Sequence, residues 1–215
     1  MSDGRKNNVG TNVAGFVLAG GASSRFGEDK AFAKLGGIPM LEYMIDLLIK
    51  ATGWAIIVGG SQEKHQGFDV DIIPDRWPGE GPLGGIVTAL EVSAKSYGKP
   101  NWNLIVSCDM PFLTEDWLRF LVERAAKSDA QVVVPHSAHG PEPLCACWRT
   151  DAVGTLQLAF ERGVRKVTQG ISLLRAEVLD ERDWKRFDSA GRLFWNMNTA
   201  ADYEEARRIV DAKRD

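Results

Sequence analysis

The stretch Val13-Ala14-Gly15-Phe16-Val17-Leu18-Ala19-Gly20-Gly21-Ala22-Ser23-Ser24-Arg25-Phe26-Gly27-Glu28-Asp29-Lys30 decides how the rest of the chain is read. An apolar run from Val13 to Leu18 breaks at Ala19-Gly20-Gly21, the pattern of a buried strand that empties into a loop. Paired glycines let backbone N–H groups approach an anion closely, and Arg25 and Lys30 follow to neutralise it. A glycine pair after a strand also serves as an ordinary tight turn; the downstream cations turn the reading toward polyphosphate. The spacing fits neither G-x-G-x-x-G nor the Walker lysine, because Glu28 and Asp29 separate Gly27 from Lys30.

Working outward, Pro39 sits at the first turn of a helix whose Leu41, Met44, Ile45, Leu48 and Ile49 recur at helical spacing up to Gly53. Trp54 to Val58 reads as a second strand and Ile72-Ile73 as a brief third, before the loop Asp75 to Gly85. Ile86, Leu90 and Ala94 mark a helix, and Trp102 to Val106 a strand that leaves Asp109 just beyond its carboxyl end. Thr114 caps a helix carrying Leu118, Leu121, Val122 and Ala125 on one face. Val132 to Val134 and Leu144 to Trp148 are two more strands, and Asp151 caps a helix with Val153, Leu156 and Phe160. A second amphipathic stretch runs from Val164 toward Leu174, interrupted by Gly170. Val178-Leu179 and Leu193 to Trp195 read as short strands, and Thr199 starts a final helix with Tyr203, Ala206, Ile209 and Val210 inward. Strands alternating with helices predict an α/β fold, a mostly parallel sheet covered on both faces. In such sheets ligands bind beyond the carboxyl ends of the strands, where three loops fall together: Ala19 to Lys30, Asp75 to Gly85 and Ser107 to Pro111.

Composition sets outer bounds. With 215 residues, 44% hydrophobic and 26% charged, the chain suits one sizeable domain or two lobes sharing a core. The formal net charge of −3 offers no basic excess for a nucleic-acid backbone, so a phosphate must be gripped locally. The longest apolar runs fall well short of the ~20 residues of a membrane span. Cys108, Cys145 and Cys147 make an odd count with one close pair, which points to a reducing compartment. Residues 1–12 are polar and lack a secretory core; the expectation is a loose tail on a cytoplasmic protein.

Several residues have plain alternatives. Asp109 and Asp75 can start turns, Lys30 can be a solvated charge, and Asn196 and Asn198 can satisfy backbone groups before the last helix. His136 and His139 have a tempting spacing, but no neighbouring carboxylate or cysteine completes a zinc pattern, and a flexible surface loop is expected there. The cysteines read as small buried residues, and the scattered tryptophans as core and rim.

The loop Leu18 to Ala31 resembles the signature of nucleotidyltransferases that use a nucleoside triphosphate, and specifically the molybdenum cofactor guanylyltransferase family. The resemblance continues in order through Gly81 to Gly85 (GPLGG), Cys108 to Phe112 (CDMPF), Glu142 to Trp148 (EPLCACW) and Asn196 to Ala206 (NMNTAADYEEA). It implies a Rossmann-like three-layer sandwich of the nucleotide-diphospho-sugar-transferase type, with a GTP-binding half over 13–115 and an acceptor half over 116–215. It further implies that Leu18, Ala19, Gly20 and Gly21 meet the nucleotide through their backbone. Lys30 would contact its phosphates with help from Arg25, Asp75 would help hold the nucleoside, and Gly81 would border the base. Asp109 would bind Mg²⁺, and Asn196 and Asn198 would face the molybdopterin. Molybdoenzymes or their chaperones are the protein partners it suggests. The reaction implied is transfer of GMP from GTP to molybdopterin with release of pyrophosphate. CTP, a sugar-phosphate acceptor, or a non-catalytic nucleotide-binding delivery role are the alternatives.

Three departures from that family stand out. Phe26 replaces the usual Met, Val58-Gly59-Gly60-Ser61 lacks an Asn common after the second strand, and Ala200-Ala201 replaces Pro-Glu. The second removes a nucleotide contact; the third alters the first turn of the last helix and leaves the Asn pair intact.

Overall fold

The structure is a computed structural model and describes residues 12–20, 30–60, 67–96 and 100–212. Strand β1 (Val13–Leu18) is buried along its whole length because it lies inside the sheet, paired in parallel with β4 (Ile56–Val58) on one side and β6 (Trp102–Ser107) on the other. Between β1 and β4 come a 3-10 turn (Lys30–Phe32), a two-stranded ribbon of β2 (Lys34–Leu35) and β3 (Ile38–Pro39), and helix α1 (Met40–Thr52). Strand β5 (Asp71–Ile73) extends the sheet beyond β4. Helix α2 (Pro82–Lys95) then carries the chain back past β1 to β6, so the strand order reverses between β1 and β6.

The second half adds α3 (Glu115–Ala126), the hairpin of β7 (Val132–Ser137) and β8 (Gly140–Pro141), and β9 (Cys145–Arg149). Strand β9 slots between β6 and β7, antiparallel to both. Helices α4 (Val153–Glu161) and α5 (Val167–Ile171) lead to β10 (Ala176–Leu179), which pairs in parallel with β7 at the sheet's edge. Helix α6 (Glu181–Trp184) and the closing α7 (Ala200–Asp211) complete the described chain. The α/β class and the mostly parallel sheet agree with the sequence pattern.

The sheet separates two cores. Val13 and Val17 pack with α1, α3 and Ala206 of α7, while Ala14, Phe16 and Leu18 pack with Ile86 and Leu90 of α2 and Phe160 of α4. Alternation along a strand buried on both faces produces this division. No helix among the described residues is long and apolar enough to cross a membrane.

Local expectations fare unevenly. Thr114 caps α3 by accepting from Trp117 N–H at 3.3 Å, and Thr199 forms a capping box with Asp202 at the start of α7, as their sequences predict. Pro39 does not enter the first turn of α1. It is drawn into the β2–β3 ribbon opposite Lys34, with an extended ψ of 139°, and the helix starts one residue later. Trp54 and Ala55 precede β4 rather than belong to it.

Asp151 does not cap α4: it pairs with Arg149 (Nε to Oδ1, 2.9 Å) inside a 3-10 turn, and Ala152 takes the N-cap position. Gly170 does not interrupt a long helix. It lies inside the five-residue α5, where a Cβ would come within 3.1 Å of Leu156 Cδ2, so its smallness serves packing. His136 belongs to β7 opposite Pro141 rather than to a loop, with His139 in the following turn. Leu193 to Trp195 form no strand. Phe194 is buried by rings instead, edge-on to Trp117 (5.6 Å) and Trp184 (5.3 Å), so the apolar run satisfies itself by side-chain packing. The expected tail, residues 1–12, lies outside the described chain apart from Asn12.

Candidate functional site

Strands β1, β4, β5 and β6 end at the same edge of the sheet, and hydrogen bonds knit those ends together. Ala19 N–H donates to Val58 O (2.9 Å), Gly59 N–H to Ile73 O (2.9 Å) and Cys108 N–H to Leu18 O (3.3 Å). The topological reversal between β1 and β6 opens a crevice there, as it does in other sheets of this kind. A cleft of about 360 Å³ occupies it, and Leu18, Gly20, Asp75 and Gly81 of the predicted set line it together with Gly59, Gly60, Ser107 and Leu144.

Helix α2 points its N-terminus at this cleft. Gly81, at φ +92°, is the N-cap and makes no side-chain cap bond; Pro82 and Gly85 both line the cleft. Pro82 carries no N–H and Gly84 N–H already donates to Gly81 O (3.2 Å), so what this helix end offers the cleft is chiefly the positive end of its dipole, which suits an anionic ligand. Asp75 serves two purposes. Its Oδ1 accepts from Trp77 N–H at 3.0 Å, and Thr88 Oγ1 lies 3.2 Å from the same oxygen. The carboxylate therefore shapes the turn that opens the loop while lining the cleft.

Gly59 explains the departure after the second strand. It adopts φ +97°, and a Cβ there would stand 2.8 Å from Gly20 N and 2.9 Å from Gly20 Cα. The backbone at Gly20 passes the residue after β4 too closely for any side chain at that position.

Asp109 follows β6 by two residues and is half-buried. Ser107 Oγ donates to its Oδ1 at 2.6 Å, which orients the carboxylate from the floor of the first cleft. Its carbonyl oxygen accepts from Met197 N–H at 2.8 Å, and Met197 is fully buried. Met197 lies between Asn196 and Asn198, and both of these line a second cleft of about 750 Å³. Asn196 Nδ2 donates to Phe194 O at 3.1 Å, and Asn198 N–H to Asp202 Oδ2 at 2.8 Å.

Trp184, Trp195 and Glu142 also border the second cleft. Trp195 stacks on Phe112 (5.5 Å between centroids, 9° between planes), and Trp184 Nε1 donates to His136 O at 3.1 Å. Burial raises the Glu142 carboxyl above its ordinary value, an effect partly offset by the Ser137 hydroxyl bond (2.6 Å) and by nearby His139 and His136. A third depression, about 610 Å³ around Asn101, Arg149 and Asp151, sits at the opposite end of β6 and holds none of the predicted residues.

The predicted residues thus fall into two groups joined at Asp109. Gly21 and Arg25 lie outside the described residues; Lys30 opens the 3-10 turn with its backbone, and its side chain is likewise not described. Among the described residues no three His, Cys, Asp or Glu side chains converge on a metal position. An Asp109 carboxylate beside the Ser107 hydroxyl is a hard oxygen donor set. That fits Mg²⁺, which commonly takes one or two carboxylates and completes its shell with waters and substrate phosphates.

Sequence reasoning placed Ser107 in a ligand loop and Glu142 and Leu144 in a motif, but gave none of them, nor the α2 N-terminus, a role in the site. The Gly81-Pro82 start was a readable signal for the last, and the two-residue spacing to Asp109 for Ser107; Leu144 and Glu142 depend on β9 lying beside β6.

The profile of the MobA-like NTP transferase domain matches residues 15–178. A protein of Bacillus cereus named as a probable molybdenum cofactor guanylyltransferase is 30% identical over 200 residues, covering 91% of this chain and 96% of its own length. A molybdenum cofactor guanylyltransferase of Desulfosudis oleivorans is 28% identical over 203 residues, covering 94% and 98%. Among solved structures, molybdopterin-guanine dinucleotide biosynthesis protein A from Archaeoglobus fulgidus superposes with a TM-score of 0.76 at 23% identity, over 93% of this chain and 99% of that one, a likeness of fold.

Proposed function

The chain belongs to the MobA-like NTP transferase domain family and is a nucleotidyltransferase, and from that premise we propose that it transfers GMP from GTP to molybdopterin, releasing pyrophosphate. The carrying observation is the Ser107–Asp109–Met197 connection, which sets a carboxylate between a cleft beside a helix N-terminus and a larger cleft with aromatic walls. On this reading residues 13–115 serve the nucleotide and 116–215 the acceptor.

The chemistry follows from charge. An oxygen of the acceptor's terminal phosphate attacks the α-phosphorus of GTP, a new P–O–P link forms, and the bond to the β-phosphate breaks. Two anions must be brought together, so positioning and neutralisation dominate. The α2 N-terminus and the backbone of Leu18 to Gly21 face the triphosphate, Lys30 and Arg25 neutralise it, and Asp75 and Gly81 border the nucleoside. Asp109 would hold Mg²⁺, which when bound supplies positive charge to the phosphates. The attacking oxygen is already ionised near neutral pH, so no general base is needed. Asn196, Asn198 and the rings of Trp184 and Trp195 receive the pterin end. A cytoplasmic site of action suits this substrate pair.

The test is incubation of the purified protein with GTP, Mg²⁺ and molybdopterin, with CTP in a parallel arm and mass analysis of the product. Guanylylated molybdopterin with stoichiometric pyrophosphate is expected, and Lys30→Ala should abolish it without unfolding the chain. A cytidylylated product would reassign the nucleotide. Nucleotide binding with no pyrophosphate release would leave a delivery role and overturn catalysis.

A further inference from the structure

The loop from Asp75 to Gly81 borders the first cleft, yet its outer anchor comes from the other half of the chain. Helix α4 ends at Glu161 and is followed by Arg162-Gly163-Val164-Arg165, in which Gly163 takes φ +94°. Its N–H donates to Phe160 O (2.9 Å) and that of Val164 to Ala159 O (3.0 Å), a left-handed termination that turns the chain back across the helix end. Arg165 therefore returns to Phe160. Its Nη1 donates to Phe160 O (2.6 Å) and Val164 O (3.1 Å), and its guanidinium carbon lies 4.0 Å from the Phe160 ring centroid.

Fixed in this way, the guanidinium presents Nε to Glu80 Oε2 at 2.7 Å. The Phe160 ring also meets the Trp77 ring, 4.8 Å between centroids. Trp77 and Glu80, on either side of Pro78-Gly79, are thus both held by one Phe160–Arg165 unit, and Trp77 N–H is held from within by Asp75. An exposed ion pair is usually worth little because two long side chains must be ordered to make it. Here one partner is already ordered by two carbonyls and a ring, and the fork geometry of arginine allows all three contacts at once.

We propose that Arg165 is a positioning residue for the nucleotide: through Glu80 and Phe160 it holds the Asp75–Gly81 loop in the shape that lets Asp75, Gly79 and Gly81 border the cleft. It does so without touching the ligand. The inference rests on reading the first cleft as the triphosphate site. Loss of the anchor would show in nucleotide affinity rather than in turnover at saturation, because the loop grips the bound nucleotide alike before and during the reaction.

The test compares Arg165→Ala, Glu80→Ala, the double variant and Arg165→Lys in the full-length chain. Binding of N-methylanthraniloyl-GTP, KM for GTP, KM for molybdopterin, kcat and thermal melts are measured. Each single alanine variant should weaken nucleotide binding about three- to tenfold, with kcat and acceptor KM within about twofold of wild type. The double variant should be no weaker than Arg165→Ala, since both act through one contact, and Arg165→Lys should recover part of the loss. Glu80→Ala keeps the test open should Arg165→Ala fold poorly, because Glu80 is an exposed loop residue.

Wild-type nucleotide affinity in both single variants, or losses that multiply in the double, would overturn the role of Arg165 alone. Parallel losses in kcat, both KM values and melting temperature would reduce it to general stability. A wild-type protein that binds no nucleoside triphosphate would overturn the cleft reading itself, and this inference with it.

Discussion

Met197 donates its backbone N–H to the carbonyl oxygen of Asp109 at 2.8 Å, so the segment between the two asparagines is pinned to the residue that follows β6. That bond joins residues 88 positions apart and fixes the second cleft against the first. If Asp109 holds the divalent ion, Asp109→Asn should keep both this backbone bond and an oxygen for Ser107. We expect turnover to fall by about a hundredfold or more, with a melting temperature within about 4 °C of wild type. Pyrophosphate release across a Mg²⁺ titration, alongside a thermal melt, checks it; undiminished turnover would remove Asp109 from the metal role.

Gly59 faces a backbone neighbour that cannot move aside cheaply. Gly59→Ala combines a strained left-handed φ with a Cβ driven against Gly20, and should cost about 1–3 kcal/mol of stability and weaken nucleotide binding as well. Gly67 is outside the left-handed φ region and a Cβ there meets nothing within 4 Å among the described residues, so Gly67→Ala serves as a control expected within about 0.5 kcal/mol. Denaturant midpoints and nucleotide titrations of the two variants should therefore diverge; equal behaviour would refute the close approach of Gly59 to Gly20.

Glu142 gives a pH signature. A carboxyl raised by burial binds its proton more tightly in the folded state than in the unfolded one. Stability therefore declines as pH rises through the interval above the ordinary glutamate value of 4.5. Glu142→Gln keeps an acceptor for the Ser137 hydroxyl and removes the titration. The melting temperature of the variant relative to wild type should thus increase from mild acid toward neutrality. A flat difference would mean that the carboxyl is solvated.

The two thiols of β9 should be inert while the chain is folded. Burial pushes Cys145 up to about 12, despite the Trp117 indole N–H aimed at its sulfur (3.3 Å), and raises Cys147 well above its ordinary value. Both stay protonated at neutral pH and out of reach of reagents. Iodoacetamide should label them only after denaturant is added; rapid labelling of either in the native protein would contradict the packing of β9 under α3.

What the sequence made legible was local. The strand-to-loop break at Leu18-Ala19, the caps at Thr114 and Thr199, and the strand end before Asp109 all follow from short-range chemistry. Leu193 to Trp195 misled because apolar runs imply burial, not pairing, and here aromatic contacts with Trp117 and Trp184 supply the burial. Asp151 could cap a helix, but Arg149 two residues earlier offers a charged partner that draws its carboxylate away. Contacts such as Arg165 with Glu80, or Ser107 beside Leu144, bring together residues distant in sequence. No periodicity encodes them; the packing of α4 against α2 sets the first and the path of β9 beside β6 the second.

That reversed β9 has an engineering corollary. It lets the tip of the β7–β8 hairpin and the stretch from Glu181 to Asp202 border one cleft, though they come from different parts of the chain. If the proposed division of labour holds, grafting a foreign hairpin there would retune what is accepted while leaving what is donated alone, provided the graft preserves the amide-to-carbonyl staple from Met197 to Asp109.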